Sequence, residues 1–159
     1  MLTANYIGTH ALLNSDKAAV INARSGEILS YRELDERSNR FARYLQAQGL
    51  QRGDTFAVFL ENNIRYFELC WAALRSGLLV VPINRFLTAG EAAYIAQDSG
   101  AKVVASSWAL RNTAQALPAL LPGCEHLLML AGCIDGWDSY EETVAPSSPR
   151  PWPRIGWAA

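Results

Sequence analysis

The sequence predicts an α/β protein with a mostly parallel sheet, helices on both faces of that sheet, and a β-hairpin ahead of it. Three observations carry this prediction. Short apolar runs alternate with amphipathic helical patterns along most of the 159 residues, which is the order of βαβ units. A hairpin pattern stands near the N-terminus. Two helices open on capping boxes, so their first residues can be read directly.

The N-terminal part combines a short helix with the hairpin. A helical pattern covers residues 5–13. Residues 17–23 are rich in β-forming side chains and predict a strand. Residues 24–26 predict a turn, and residues 27–29 predict the second strand. This order is typical of two antiparallel strands.

The clearest helix begins after Ser30. Ser30 and Glu33 have the spacing of a capping box, and Gly49 supplies the left-handed residue that ends many helices. One face is apolar and is formed by Leu34, Phe41, Ala42 and Leu45. The opposite face is charged, and we expect it to be solvated; it is formed by Arg32, Asp35, Glu36, Arg37, Arg40 and Arg43.

Two predicted strands flank the next helix. Residues 55–60 and 78–83 are continuous apolar runs, the pattern of strands that are covered on both faces. Between them, residues 64–76 predict a helix that is apolar nearly all round, so we expect it to be largely buried. Gly77 ends this helix.

The second half repeats the alternation. Thr88 and Glu91 form another capping box, which opens a helix to Asp98 with Gly100 as its stop. The remaining predicted elements are a strand at 102–105, a helix at 108–120 interrupted near Pro118, a strand at 125–130 and a short helix at 139–144.

The tail differs from the rest of the chain. Residues 146–159 hold four of the seven prolines, and proline is incompatible with regular helix or central strand. We therefore assign residues 1–145 to one α/β unit and residues 146–159 to an irregular tail.

Composition excludes several classes of protein. The net charge is −1 and 18% of the residues are charged, so no nucleic-acid-binding surface is expected. No apolar run reaches the roughly 18 residues of a membrane span, and residues 1–17 lack the pattern of a secretory signal. Cys70, Cys124 and Cys133 have no metal-ligand spacing and predict buried thiols in a reducing cytosol. We expect a cytoplasmic protein.

Polar side chains follow three of the predicted strands, where ligands bind in open α/β sheets. They are Glu61, Asn62 and Asn63 after the first, Asn84 and Arg85 after the second, and Ser106 and Ser107 after the third. If the strands are neighbours, these groups line one edge. Asn84 and Arg85 are the best candidates, because a helix N-terminus that favours an anion starts a few residues later. The alternative is that all of these residues are turn formers and helix caps.

Known catalytic patterns are absent from the sequence. It lacks the G-x-x-x-x-G-K-[ST], G-x-G-x-x-G, G-x-S-x-G and H-E-x-x-H motifs. His10 and His126 stand far apart, and neither has a Cys or Asp at catalytic or metal-binding spacing. Four acids match no metal loop and are interpreted as helix-start acids on a solvated surface: Asp135, Asp138, Glu141 and Glu142. We assign no catalytic residue and no metal ligand.

Four segments together carry a resemblance to a known family. They are "LSYREL" at 29–34, "GDTFAVFLENN" at 53–63, "AALRSGLLVVPIN" at 72–84 and "LTAGEAAYIAQDSGAKVV" at 87–104. In order and spacing they resemble the N-terminal region of AMP-dependent acyl-CoA synthetases, which belong to the adenylate-forming superfamily. The last two are more similar to fatty-acyl- and aryl-CoA ligases than to the amino-acid-activating branch.

The resemblance implies both a fold and a reaction. The fold is the first α/β subdomain of the adenylate-forming enzymes. The reaction joins ATP, with Mg²⁺, and a carboxylic acid into an acyl-adenylate and pyrophosphate, after which CoA displaces AMP. From their position at a strand end, we expect Asn84 and Arg85 to lie towards the substrate or CoA side of the cleft in the complete enzyme.

The family's catalytic parts have no counterpart in this sequence. These are its phosphate-binding loop, the ribose-binding Asp, and the catalytic Lys of its mobile C-terminal domain. Without them the transition state lacks preorganised stabilisation. The resemblance therefore implies a truncated N-terminal fragment that is inactive alone and binds no cofactor by itself. It also raises the hypothesis that residues 146–159 are translated out of frame.

Two alternatives to the fragment stay open. One is a non-catalytic interaction or regulatory module that keeps the synthetase scaffold. The other is a small independent α/β enzyme, which the absence of a phosphate-cradling loop disfavours. A fragment is expected to expose an apolar face that the following subdomain covers in a complete synthetase. That face predicts self-association or binding of the remaining synthetase.

Overall fold

The computed structural model describes residues 6–151, in which helices and strands alternate. The helices are α1 (Ile7–Leu13), α2 (Tyr31–Ala47), α3 (Tyr66–Ser76), α4 (Ala89–Asp98), α5 (Arg111–Ala114), α6 (Leu117–Leu120) and α7 (Tyr140–Val144). The strands are β1 (Ala18–Ile21), β2 (Ile28–Ser30), β3 (Thr55–Phe59), β4 (Leu79–Ile83), β5 (Ala101–Ser107), β6 (His126–Leu130) and β7 (Asp138–Ser139). None of the helices in this part of the chain has both the length and the apolar character needed to cross a membrane.

The strands form two sheets. β1 and β2 pair antiparallel as a separate hairpin. The other five lie in the order β4-β3-β5-β6-β7, and every neighbouring pair is parallel. The predicted hairpin and parallel sheet are therefore both confirmed.

Helices cover both faces of the parallel sheet. The strand β3 is buried along its whole length, and its side chains alternate between two layers. Phe56 and Val58 pack in the core with α2, α3 and α7, whereas Ala57 and Phe59 pack with α4, α5 and α6. A smaller cluster that includes Ile7 and Leu29 joins α1 and the hairpin to α2.

Both predicted capping boxes are confirmed. The backbone N–H of Glu33 donates to Ser30 Oγ at 3.2 Å, and the backbone N–H of Ser30 donates to the Glu33 carboxylate at 2.9 Å. Thr88 and Glu91 repeat this arrangement at the start of α4. The predicted helix stops have the positive φ expected of them, at Gly49, Gly77 and Gly100.

The prediction that residues 78–83 are buried on both faces is wrong. β4 is an edge strand with β3 on one side only, and Leu79 is 60% exposed. Pro82 is compatible with this position, because an edge strand does not need every backbone N–H for its ladder.

The prediction of a helix buried nearly all round is wrong for α3. Phe67 is 48% exposed and Leu74 is 60% exposed, whereas Glu68 and Arg75 are buried. The inner face of α3 therefore carries two charged side chains, each of which forms hydrogen bonds to residues outside the helix.

The predicted helix at 108–120 is divided into shorter pieces. A 3₁₀ turn at Trp108–Leu110 comes first, followed by α5 and then α6. Pro118 lies in the first turn of α6, where its missing N–H costs nothing. Proline here begins a new helix instead of interrupting a long one.

The charged face of α2 is only partly solvated. Asp35 is buried, and Arg75 Nη2 donates to its Oδ1 at 3.0 Å. The prediction of a solvated face is therefore wrong for Asp35. Arg40 Nη1 donates to the carbonyls of Ala145 and Ser147, at 3.0 and 2.7 Å. Residues 146–151 form neither helix nor strand, and the rest of the predicted tail, 152–159, lies outside the described residues.

Candidate functional site

The sheet has a topological switch point between β3 and β5. From β3 the chain moves outward to β4 through α3, which packs on one face. It then returns past β3 to β5 through α4, which packs on the other face. Open α/β sheets bind ligands outside the carboxyl ends of their strands at such a point. The three predicted groups of strand-end residues lie at this edge.

A hydrogen bond between side chains spans the switch point. The Ser107 hydroxyl, at the end of β5, donates to Glu61 Oε2, which follows β3. Asn63 Nδ2 donates to the other oxygen of the same carboxylate at 2.9 Å. The structure therefore brings Glu61, Asn63 and Ser107 together. Ser106 is fully buried, and its hydroxyl has no hydrogen-bond partner among the described residues.

Asn84 and Arg85 lie at the same edge but in a separate turn after β4. Asn84 Oδ1 accepts a hydrogen bond from the Phe86 N–H at 3.1 Å. The Arg85 guanidinium lies 4.6 Å from the centre of the Phe86 ring, and Phe86 is 79% exposed. The side chain of Asn84 is thus used as a turn former, and Arg85 stacks on a solvent-facing ring.

A second stack of arginine on an aromatic ring follows β5. The Arg111 guanidinium lies 4.8 Å from the centre of the Trp108 ring, and Trp108 is 42% exposed. The ring lies against the backbone at Gly132, where an added Cβ would come within 2.5 Å of it. Gly132 therefore allows the tryptophan to lie over the loop that follows β6.

An ionic cluster beside this edge joins α3 to α7. Glu68 is fully buried; its Oε1 accepts from Arg65 Nε at 2.8 Å and from the Tyr140 hydroxyl at 2.9 Å. Arg65 Nη1 also donates to Glu141 Oε1 at 3.0 Å. That oxygen accepts the N–H of Ala131 at 3.1 Å, a residue with φ of 60° at the end of β6. The cluster thus holds the loops after β3 and β6 in place.

Burial and charge act together on the groups of this cluster. Burial, and after it the Glu68 carboxylate, raises the pKa of Tyr140 well above its ordinary value. Burial opposes the charged form of Arg65, but Glu68 and its neighbours outweigh this effect, so the pKa of Arg65 is raised. The phenol therefore stays protonated and the guanidinium stays charged, as the observed hydrogen bonds require.

Sequence reasoning missed this cluster. A single carboxylate within an otherwise apolar helix was the available signal at Glu68, because a charge on a buried face needs a partner. Glu141 was predicted to be a solvated helix-start acid. It does lie in the first turn of α7, but it also bonds to Arg65 and Ala131.

The cysteines and histidines occupy ordinary structural positions. Cys133 is exposed, so the prediction of buried thiols is wrong for that residue. Cys70 and Cys124 are partly buried, and burial raises the pKa of both thiols. His10 stacks on Tyr31 with ring centres 4.9 Å apart. Within residues 6–151, no group of His, Cys, Asp or Glu side chains has the arrangement of a metal site.

The family model of the AMP-binding enzymes matches residues 9–154. The chain belongs to the AMP-binding enzyme family. A long-chain-fatty-acid–CoA ligase from Yersinia pestis is 40% identical over 95 residues, which are 59% of this chain and 16% of that protein. A fatty acid–[acyl-carrier-protein] ligase from Streptomyces coeruleorubidus is 31% identical over 131 residues, 78% of this chain and 25% of that protein.

A solved structure confirms the fold of this chain. The crystal structure of an anthranilate CoA ligase in complex with anthranoyl-AMP superimposes with a TM-score of 0.81 at 18% identity. The match covers 90% of this chain and 27% of that protein. The chain therefore has the fold of one part of an adenylate-forming ligase, and it spans about a quarter or less of the relatives named here.

Proposed function

We propose that this chain is the N-terminal α/β unit of an AMP-forming fatty-acyl- or aryl-CoA ligase, that it acts in the cytoplasm, and that alone it does not catalyse the reaction. The complete reaction converts ATP, a carboxylic acid and CoA into acyl-CoA, AMP and pyrophosphate. Family membership supports this parent reaction, and so do the fatty acid ligases among the relatives. The unit is a scaffold that presents the carboxyl edge of its sheet to the rest of such an enzyme.

One observation carries the proposed inactivity: the carboxyl edge has no lysine. The sequence has two lysines, Lys17 and Lys102. Lys17 precedes the hairpin, and Lys102 lies at the opposite, amino edge, where its Nζ is 3.0 Å from Asp54 Oδ2. Activating a carboxyl group needs a fixed positive group at the developing charge. At this edge Glu61, Asn63 and Ser107 are engaged with one another, and the guanidinium of Arg85 stacks on the Phe86 ring.

Asn84 and Arg85 are the part of this unit that we assign to the substrate or CoA side. Arg85 and the exposed Phe86 ring form an open surface at the carboxyl end of β4. A guanidinium next to an aromatic face suits a planar, negatively charged ligand, because it combines charge with stacking. A local hydrogen bond supports this turn, since the Asn84 side chain accepts from the backbone N–H of Phe86.

Inactivity is tested by assaying the purified 159-residue chain for pyrophosphate release with ATP, Mg²⁺ and a fatty acid. We expect no release above a blank, and no heat on calorimetric titration with ATP, CoA or fatty acid. Release of pyrophosphate would refute the proposal. No measurable binding of ATP, CoA or fatty acid, together with tight binding of a protein partner, would favour the non-catalytic module instead.

The role of Arg85 is tested in a chimera that joins this unit to the segments following it in the Yersinia relative. We expect Arg85→Gln to raise the KM for CoA or acid about tenfold, the loss expected for one charge-assisted contact. Arg24→Gln, at the exposed hairpin turn, is the matched control. An unchanged KM for both substrates in an active chimera would exclude Arg85 from the site.

A further inference from the structure

A cleft of about 350 Å³ opens between α2, α3 and α7, beside the ionic cluster. Three arginines line it: Arg37 and Arg40 from α2, and Arg65 ahead of α3. Glu68 and Glu141 are the carboxylates in its wall. Its volume falls within the range of small-molecule sites, which begins at roughly 300 Å³.

The two α2 arginines are weakly neutralised. Arg40 has no carboxylate within 4.0 Å among residues 6–151, and its Nη1 contacts two backbone carbonyls. The carboxylates that Arg37 contacts within this described range are distant, 3.5 Å for Glu33 and 3.9 Å for Glu68. Two guanidinium groups one helical turn apart repel each other unless an anion lies between them. This arrangement favours an oxyanion, which arginine binds through paired N–H groups.

The same cleft contains an acceptor without a donor. Glu68 Oε2 is buried and has no hydrogen-bond partner within residues 6–151, since Arg37 Nη1 at 3.9 Å is too distant. An unsatisfied buried carboxylate oxygen is costly. A ligand in the cleft that presents an O–H to Glu68 and anionic oxygens to the arginines would satisfy both.

We propose that this cleft binds hydrogen phosphate. At neutral pH inorganic phosphate carries both an O–H group and negatively charged oxygens. Sulfate has no proton to donate. A phosphate monoester, with a second pKa of about 6, is mostly without one at pH 7.5. Hydrogen phosphate, sulfate and the ionised monoester carry the same net charge, so selection of hydrogen phosphate depends on its O–H group, which faces the Glu68 carboxylate.

The proposal is tested by calorimetric and thermal-melting titrations of the 159-residue chain with phosphate, sulfate and methyl phosphate at pH 7.5 and constant ionic strength. We expect saturable binding and a raised Tm with phosphate only. Arg37→Gln should weaken phosphate binding about tenfold, while Arg24→Gln leaves it unchanged. Equal effects of phosphate and sulfate, or unchanged binding in Arg37→Gln, would overturn the proposal.

Glu68→Gln separates proton recognition from simple charge attraction. A glutamine amide donates where the carboxylate accepts, so this variant should lose affinity for phosphate and gain affinity for sulfate. A folded Glu68→Gln protein that still prefers phosphate would refute the role given to Glu68. If this variant does not fold, the comparison of Arg37→Gln with wild type still decides whether the cleft binds phosphate.

Discussion

At the residue scale, the least expected features are charges inside the layers. Arg75 stands in the middle of a predicted apolar helix, and its side chain is 1% exposed. Its guanidinium donates to Asp35 and to Asn39 of α2 and lies 5.8 Å from the centre of the Tyr6 ring. The contact between α2 and α3 therefore includes a polar network beside its apolar core, and such networks are costly to break on one side only.

We predict that Arg75→Met lowers the free energy of unfolding by about 3 kcal/mol, because Asp35 is left buried without its partner. Urea denaturation followed by circular dichroism measures this loss. Arg24→Met is the matched control and should be nearly neutral. Adding Asp35→Leu to Arg75→Met should recover part of the stability; a single variant as stable as the control would contradict the prediction.

At the element scale, the helix starts are determined by local contacts. The capping box of α2 uses groups three residues apart, so no tertiary information is needed to recognise it. We predict that Ser30→Ala destabilises the chain by about 1 kcal/mol, the usual loss for a removed N-cap side chain. Chemical denaturation at neutral pH measures this effect, and a change near zero would show that the cap contributes nothing.

The capping box of α2 also predicts that the stability of the chain depends on pH. The hydrogen bond from the Ser30 backbone, and after it that from the Ser30 hydroxyl, lowers the pKa of Glu33 below 4.5. A carboxyl group whose pKa is lower in the folded protein stabilises the fold at a pH above its unfolded-state pKa. This stabilisation is lost as the pH falls through the folded-state pKa. Denaturation at a series of pH values should show that the free energy of unfolding falls less steeply below pH 4.5 in Glu33→Gln than in Glu36→Gln. Equal slopes would contradict the prediction.

At the scale of the whole molecule, exposed apolar side chains lie at the open β4 edge of the sheet, on the strand itself and on the helices of both faces. Phe67 and Leu74 are exposed on α3, and Leu79 and Tyr94 are exposed on β4 and α4. Apolar patches of this kind mark interfaces or make a protein associate. We propose that this edge contacts a second copy or the remaining parts of a complete ligase.

We predict that the isolated chain binds a hydrophobic dye and self-associates, and that Leu74→Lys combined with Leu79→Lys reduces both. The reason is that each substitution replaces an exposed apolar side chain of this edge with a charged one. Light scattering and dye fluorescence measure the effect. Leu12→Lys, at a residue 74% exposed on α1, is the control, and a monodisperse wild-type chain without dye binding would contradict the prediction.

The sequence by itself determined the alternation of strands and helices, the capping boxes of α2 and α4, the glycine helix ends and the family. These signals are local, because each depends on residues within a few positions of one another, or on segments compared in order. Tertiary structure decided that β4 is an edge strand, that Glu61 bonds to Ser107, and that Glu68 and Arg75 are buried with partners. Those outcomes depend on which elements become neighbours, since a charged side chain in an apolar helix is tolerated only where another element supplies its partner.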